Sequence, residues 1–351
     1  MRSPSRQTLA IDPIADPDWT GLLERSPEAT IFHHPAWLEL LRRQYGYEMR
    51  AWCLRGPDGI EAGIPVARIS SRLTGSRLVS LPFSDSCPPL LTGEEDPVAL
   101  AGLAEALAAE SRRCGLDLTV RATLPAAARG FVRERFVSHE LRLDPDPAAV
   151  EAGMAKNQIQ AARKARREGL RGERRTDRAA LDAFYALHLR TRRRLGVPTQ
   201  PRRFIHRFAE LFERGLGFVW LVEERGEPLA AAVFLTYNGT VTYKYSASDS
   251  ARLAKRPNNL LLLEAIRWCC EAGYRRFDFG RTELENEGLR AFKRSWGATE
   301  LDLAYTCLGD RAPDPEPEPG SLRERAMSKT IQRSPALVGR LAGEALYRHF
   351  G

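Results

Sequence analysis

The chain has 351 residues, 43% of them apolar, and a formal net charge of +8. That length accommodates two domains of ordinary size. No apolar run approaches the roughly 18 residues of a membrane span, and the six cysteines show neither a C-x-x-C pair nor a zinc spacing, so a membrane-embedded chain and a disulfide- or zinc-built scaffold are both excluded.

MRSPSRQTLAIDPIADPDW at the N-terminus has no apolar h-region, so no secretion signal is expected and a reduced, cytoplasmic protein is. HPAWLELLRRQYG (34–46) has helical spacing. MRAWCLR (49–55) reads as a strand, GPDG as a turn, IEAGIPVARIS (60–70) as a strand interrupted by Pro65, and SRLVSLPF (76–83) as another strand. A helix over 96–115 ends at Gly115 and is followed by a strand, LDLTVRA (116–122).

The second half opens on two basic runs, 156–175 and 190–203. Such runs are ordinarily solvated helix faces. They also suit an anionic partner such as RNA, a phosphorylated substrate or an anionic membrane face. Arg190, Arg193 and Arg194 share one helical face before the break at Gly196 and Pro198. A helix over 201–215 precedes strands at 218–224, 229–237 and 240–248, with Asn238-Gly239 as a hairpin turn between the last two. Strict alternation puts Tyr243 and Tyr245 on one face and Lys244 on the other, unless a bulge intervenes. After the basic loop SDSARLAKRPNN comes an apolar helix over 260–272, with Asn259 as its N-cap and Gly273 as its stop, and then the strand RFDFG (276–280). DRAPDPEPEPG (310–320) reads as an extended connector. Residues 321–351 read as two short amphipathic helices split by Pro335.

Both halves therefore repeat one order: helix, three antiparallel strands, helix, strand. The expected division is a first domain over 1–145, a second and catalytic one over 146–309, a linker over 310–320, and a tail over 321–351 packing on the first domain. A tail lying on the inner membrane face, with the protein peripheral there, is the alternative.

This order resembles the GNAT acyltransferase fold. With MAKNQIQAARKARREGL, YKYSASDSARLAKRPNNLLLLEAIRWCCEAGYRRFDFGRT and NEGLRAFKRSWGA, the chain resembles the Fem-type aminoacyltransferases (the FemABX group), including FemAB-like proteins of exopolysaccharide and exosortase clusters. The resemblance implies an α+β protein of two tandem GNAT-like domains, each a mixed, mostly antiparallel sheet flanked by helices. It implies a transferase moving an aminoacyl or acyl group from aminoacyl-tRNA or acyl-CoA to an amine of a cell-wall (peptidoglycan) or envelope-polysaccharide precursor. No tightly bound cofactor is expected, only that co-substrate, and no metal, because the six histidines form no H-x-x-x-H pair. The anionic partner would be tRNA or a nucleotide-linked or lipid-linked sugar. The alternative is a non-catalytic GNAT-fold protein binding RNA or an anionic membrane surface.

Of the 53 basic residues only six are lysines, so Lys293 in an arginine-rich chain is a choice. The resemblance makes it the lysine that stabilises the reacting carbonyl or binds the acceptor's phosphate, beside Phe292; the plain alternative is a surface position on a helix. Asp278 is a candidate base or a partner for Arg281. Lys244, Tyr243 and Tyr245 are candidate substrate contacts, as are Arg190, Arg193 and Arg194. Arg252, Lys255, Arg256, Asn258 and Asn259 surround the start of the apolar helix, where the helix dipole favours a donor phosphate. That loop lacks the glycines of the Q/R-x-x-G-x-G/A motif, which weakens a coenzyme A site.

Overall fold

The computed structural model describes residues 6–93, 96–124, 131–308, 331–332, 340, 343–344 and 346–349. The linker expected at 310–320 and most of the tail expected at 321–351 lie outside the described residues. The chain divides into two compact units, Met1–Val137 with Asp302–Glu316 and Arg348–Gly351, and Ser138–Leu301 with Pro317–Tyr347. Of the tail, Tyr347 bonds to Arg192 and Pro198 in the second unit, whereas Arg348 accepts from Tyr47 in the first.

The first unit contains β1 (Gln7–Ile11), α1 (Pro17–Arg25), α2 (Pro35–Tyr45), β2 (Glu48–Gly56), β3 (Gly59–Ile69), β4 (Arg77–Val79), β5 (Leu90–Leu91), α3 (Pro97–Cys114) and β6 (Leu118–Val120). Strands β1 to β4 form an antiparallel meander, and β6 joins β4 in parallel. The connection is α3, capped by Asp96 and closed by the left-handed Gly115. Pro65 does not interrupt β3. It lies opposite Ala51, between the short ladders that β3 makes to β5 at Ala62–Gly63 and to β4 from Ala67, so its missing N–H falls where the second edge of β3 is open.

The second unit begins within β7 (Phe131–Arg142) and continues through α4 (Pro147–Ala152), α5 (Lys156–Arg167), β8 (Arg171–Arg175), α6 (Arg178–Leu195), α7 (Arg202–His206), α8 (Phe208–Phe212), β9 (Gly217–Glu224), β10 (Glu227–Tyr237), β11 (Thr240–Ser248), a 3-10 turn (Ser250–Lys255), α9 (Pro257–Glu271), β12 (Arg276–Glu283) and α10 (Glu287–Ser295). The single helix expected over 201–215 is thus two short ones. Strands run in the order β8-β9-β10-β11-β12-β7, with β8 to β11 antiparallel and β12 parallel to β11. The meander, connecting helix and parallel strand of the first unit recur, which is the tandem GNAT-like architecture. The last strand, β13 (Thr299–Leu308), starts in this unit, and its residues from Asp302 on belong to the first, where Thr306 pairs with Val120.

The sequence of α9 explains its place. Leu260 to Leu263 are all buried, which needs partners on every side. The sheet face carrying Phe218, Trp220, Ala232 and Phe234 supplies one side; α5, with its buried Ala162 and Ala165, packs across the other. Each fully buried leucine contributes about 1.5–3 kcal/mol. Among the described residues no helix is long and apolar enough to cross a membrane. All six cysteines are free thiols.

Candidate active site

The parallel ladder between β11 and β12 holds only three pairs, Thr240 with Arg276, Val241 with Phe277 and Thr242 with Asp278. Beyond them β11 continues to Ser248 and β12 to Glu283 without pairing to each other, so an opening forms between neighbouring strands. Each strand is turned by a local device. On β11, Phe234 of β10 faces Tyr243 and Val233 faces Tyr245, which leaves Lys244 as the extra residue of a bulge. On β12, Gly280 has φ +72°, and its N–H is held by Asp278 Oδ1 at 2.7 Å.

The bulge overturns the strict alternation expected for 243–245. Tyr243 packs on Phe234, Phe277 and Phe279, on the α9 face, and burial raises its phenol to about 12. Tyr245 stacks on Phe208 at 6.1 Å and meets His188 and Phe204, on the face covered by α6, α7 and α8. Lys244 sits over the Tyr245 ring at 5.4 Å. One extra residue is what sends the two tyrosines to opposite faces.

Lys293 is 5% exposed, which sets aside the surface-helix alternative. Its ammonium donates to the carbonyls of Gly280 at 2.8 Å and Arg281 at 3.0 Å. Successive carbonyls of a regular strand point to opposite sides, so one ammonium reaches both only because Gly280 adopts the left-handed conformation. The helix carrying Lys293 is fixed from another face by Glu300. This carboxylate accepts from Arg290 Nε (3.0 Å) and Nη2 (2.6 Å), Arg294 Nη1 (3.1 Å) and His139 Nε2 (3.1 Å). Arg290's hydrogen bonds hold Glu300 down to about 2. Burial, with the nearby Lys293 charge, lowers His139, which favours its neutral form; a carboxylate only accepts, so Nε2 carries the proton. His139 Nδ1 is buried without a partner. Phe292 packs against the α9 core and meets Trp296 edge-on.

The start of α9 differs from expectation. Its first residue is Pro257, preceded by the left-handed Arg256, so Asn259 is not the cap. Proline has no N–H for a cap to satisfy, which makes it a natural first residue. Asn258 and Asn259 lie in the first turn. Asn258 Nδ2 donates to Ser248 Oγ at 3.3 Å, at the end of β11. Asn259 Nδ2 donates to Gln158 Oε1 at 2.5 Å, and Gln158 Nε2 to Ser295 Oγ at 2.9 Å. Ser295 also receives the N–H of Ala155 on its carbonyl. This relay joins the first turns of α9 and α5 to the last turn of α10, two residues from Lys293.

The cations expected to grip a donor phosphate are placed otherwise. Arg252 pairs with Glu227 at 2.8 Å and Glu224 at 3.5 Å, and Lys255 pairs with Glu224, so both turn toward the β9–β10 hairpin; only Arg256 is exposed. Arg190, Arg193 and Arg194 are exposed on the last turns of α6, where Thr191 exchanges hydrogen bonds with Ser248 and so sets that turn beside the end of β11. The structure therefore groups Lys293, Asp278, Arg281 and the α9 first turn around the opening. Gly280, Gln158, Ser295, His139 and Glu300 were not singled out in the sequence, and only Gly280, inside DFG, carried a local signal.

An opening of this kind can seat an extended acyl group, with an ammonium beside β12 and a positive helix terminus beside the end of β11. Those are the parts needed to polarise a carbonyl under attack by an amine. Residues 156–294 match the family model of the acetyltransferase (GNAT) domain. A search of curated proteins found no match in sequence. Among solved structures, FemX is 14% identical and superposes with a TM-score of 0.67 over 85% of this chain and 96% of its own. L-PGS from Bacillus licheniformis is 14% identical, with a TM-score of 0.53 over 95% and 98%. A tandem GNAT protein from the clavulanic acid biosynthesis pathway is 15% identical, with a TM-score of 0.52 over 88% and 100%. The second unit thus carries a GNAT acetyltransferase domain, and the chain shares its fold with FemX, L-PGS and the tandem GNAT protein.

Proposed function

We propose that the protein moves an aminoacyl or acyl group from aminoacyl-tRNA or acyl-CoA to an amine of a cell-wall or envelope-polysaccharide precursor. The observation that carries this reading is the parting of β11 and β12 beside the buried Lys293 and the α9 first turn. The amine nitrogen attacks the activated carbonyl carbon and a C–N bond forms. The C–O bond of the ester, or the C–S bond of the thioester, breaks, and the amine's proton leaves with the tRNA hydroxyl or the thiol. Lys293 places a positive charge where the carbonyl oxygen becomes negative, and Asp278 keeps Gly280 turned so that the charge stays there. A donor–acceptor contact of this kind is typically worth about 2.7–4 kcal/mol at the transition state. Between the donors, the glycine-free loop with Arg252 and Lys255 engaged by glutamates speaks for aminoacyl-tRNA over a coenzyme A pyrophosphate cradle.

The test supplies charged tRNA or acyl-CoA with candidate amine acceptors and follows labelled product. The expected result is transfer by the native protein and a loss in kcat of about 10²–10³-fold in Lys293→Met, assayed well below its melting temperature. Absence of transfer from both donors would overturn the reading, and unchanged turnover in the variant would remove the role given to Lys293.

A further inference from the structure

A cavity of about 560 Å³ opens at the outer edge of the second unit's sheet, lined by Arg163, Arg166, Arg167, Arg171, Gly172 and Glu264. Four guanidinium groups face one carboxylate there. Two of the four are fixed. Arg166 is paired with Glu264, its Nε 3.2 Å from Oε1, and Arg171 Nη1 donates to the carbonyls of Arg166 and Leu170 at 3.2 and 3.0 Å. The other two, Arg163 and Arg167, lie one helical turn apart on α5, are exposed, and make no hydrogen bond or ion pair with any described residue.

The floor of the cavity is built for this arrangement. A Cβ on Gly172 would lie 1.9 Å from Glu264 Oε2 and 2.8 Å from Trp220 Nε1, so only glycine lets the Glu264 carboxylate sit beneath the arginines. The Trp220 indole N–H, in a residue only 6% exposed, is buried there without an acceptor. Glu264 in turn anchors Arg166 from the middle of the buried helix α9, which orients one guanidinium on rigid structure rather than leaving it to solvent. Four arginines this close repel one another, and a protein surface ordinarily intersperses the two signs. The cost is relieved by an anion, and a phosphate with several oxygens accepts the paired N–H groups of more than one guanidinium at once.

We propose that this cavity is a binding site for a phosphate group carried by a ligand, separate from the opening beside Lys293. Its volume admits the phosphate with an attached sugar. The phosphate can belong to a free phosphomonoester or to an RNA backbone, and binding alone is measured, so the result stands apart from whether transfer occurs.

The full-length protein is titrated with ribose 5-phosphate and, separately, with a 12-nucleotide single-stranded RNA. The same is done for the double variant Arg163→Ala/Arg167→Ala and for a control, Arg203→Ala/Arg214→Ala, which removes equal charge at exposed positions elsewhere in the second unit. The expected result is at least tenfold weaker binding in the α5 variant than in the native protein, with the control less affected. For RNA the slope of log affinity against log salt also falls by about 1.4, from the loss of two phosphate contacts at roughly 0.7 each. Binding of ribose 5-phosphate assigns the site to a free phosphorylated ligand; binding of RNA alone assigns it to a polynucleotide. Equal affinity of the native protein and the α5 variant, an equal loss in the control, or no binding of either probe overturns the proposal.

Discussion

At the residue scale, the question is why position 293 is a lysine in a chain that otherwise uses arginine. A compact ammonium accommodates two carbonyls that converge on one point, whereas a planar guanidinium would hold its N–H groups apart. Removing the ammonium leaves buried carbonyls short of a partner, at about 1–3 kcal/mol for each such group. Gly280→Ala strains the left-handed backbone by about 1–2 kcal/mol and swings the same carbonyls away. The two substitutions attack one arrangement, so they should couple. Lys293→Met and Gly280→Ala combined are expected to lower the unfolding free energy in urea by less than the sum of the single changes. Strict additivity would show that the glycine and the lysine act separately.

At the element scale, what matters is how two strands are made to part. The β11 bulge and the β12 turn at Gly280 do this from opposite sides. Deleting Lys244 restores an unbroken ladder to β10 with Tyr243 still opposite Phe234 and Tyr245 still opposite Val233, but it removes the bulge that bends β11 away from β12 and so closes the opening. The deletion is expected to lower the melting temperature and abolish transfer, whereas Lys244→Ala, which keeps the extra residue, retains the fold; circular dichroism melts of the pair decide this. Of these features the sequence disclosed some and hid others. Asn238-Gly239 was legible because a tight turn needs two positive-φ residues, and both have them, at 47° and 71°. The helix α9 was legible from its leucines. The bulge has no residue signature of its own, since Lys244 is an ordinary strand residue. Strand β8, RGERR, contains no apolar residue at all, and β7 and β13 mix charges into their pattern, so periodicity passed over them. Glu300 was invisible for a different reason: its partners come from β7 and α10, and only folding assembles them.

At the scale of the whole molecule, each unit holds a buried histidine whose pKa burial lowers to about 4, His33 in the first and His188 in the second. Above about pH 7.5 both are neutral whether folded or unfolded, and they add no pH dependence. Below it the unfolded chain takes up protons that the native state refuses, so stability falls as pH drops toward 4, by up to about 1.4 kcal/mol per pH unit for each histidine. Between pH 6.5 and 4.5 the held-down carboxylates of Glu300 and Asp177, at about 2, do not yet contribute. Urea midpoints in that window should therefore decline, and His188→Phe should make the decline shallower whatever its stability at neutral pH. A flat profile would contradict the burial of both rings. Helix α5 carries a last consequence. Gln158 pins its beginning to the turns around the opening, while Arg163 and Arg167 lie about 8 and 14 Å further along its axis at 1.5 Å per residue. A rigid rod of that length works as a gauge: a single molecule touching both ends must match its span, and adding one turn to α5 would move the preferred size up by about 5.4 Å.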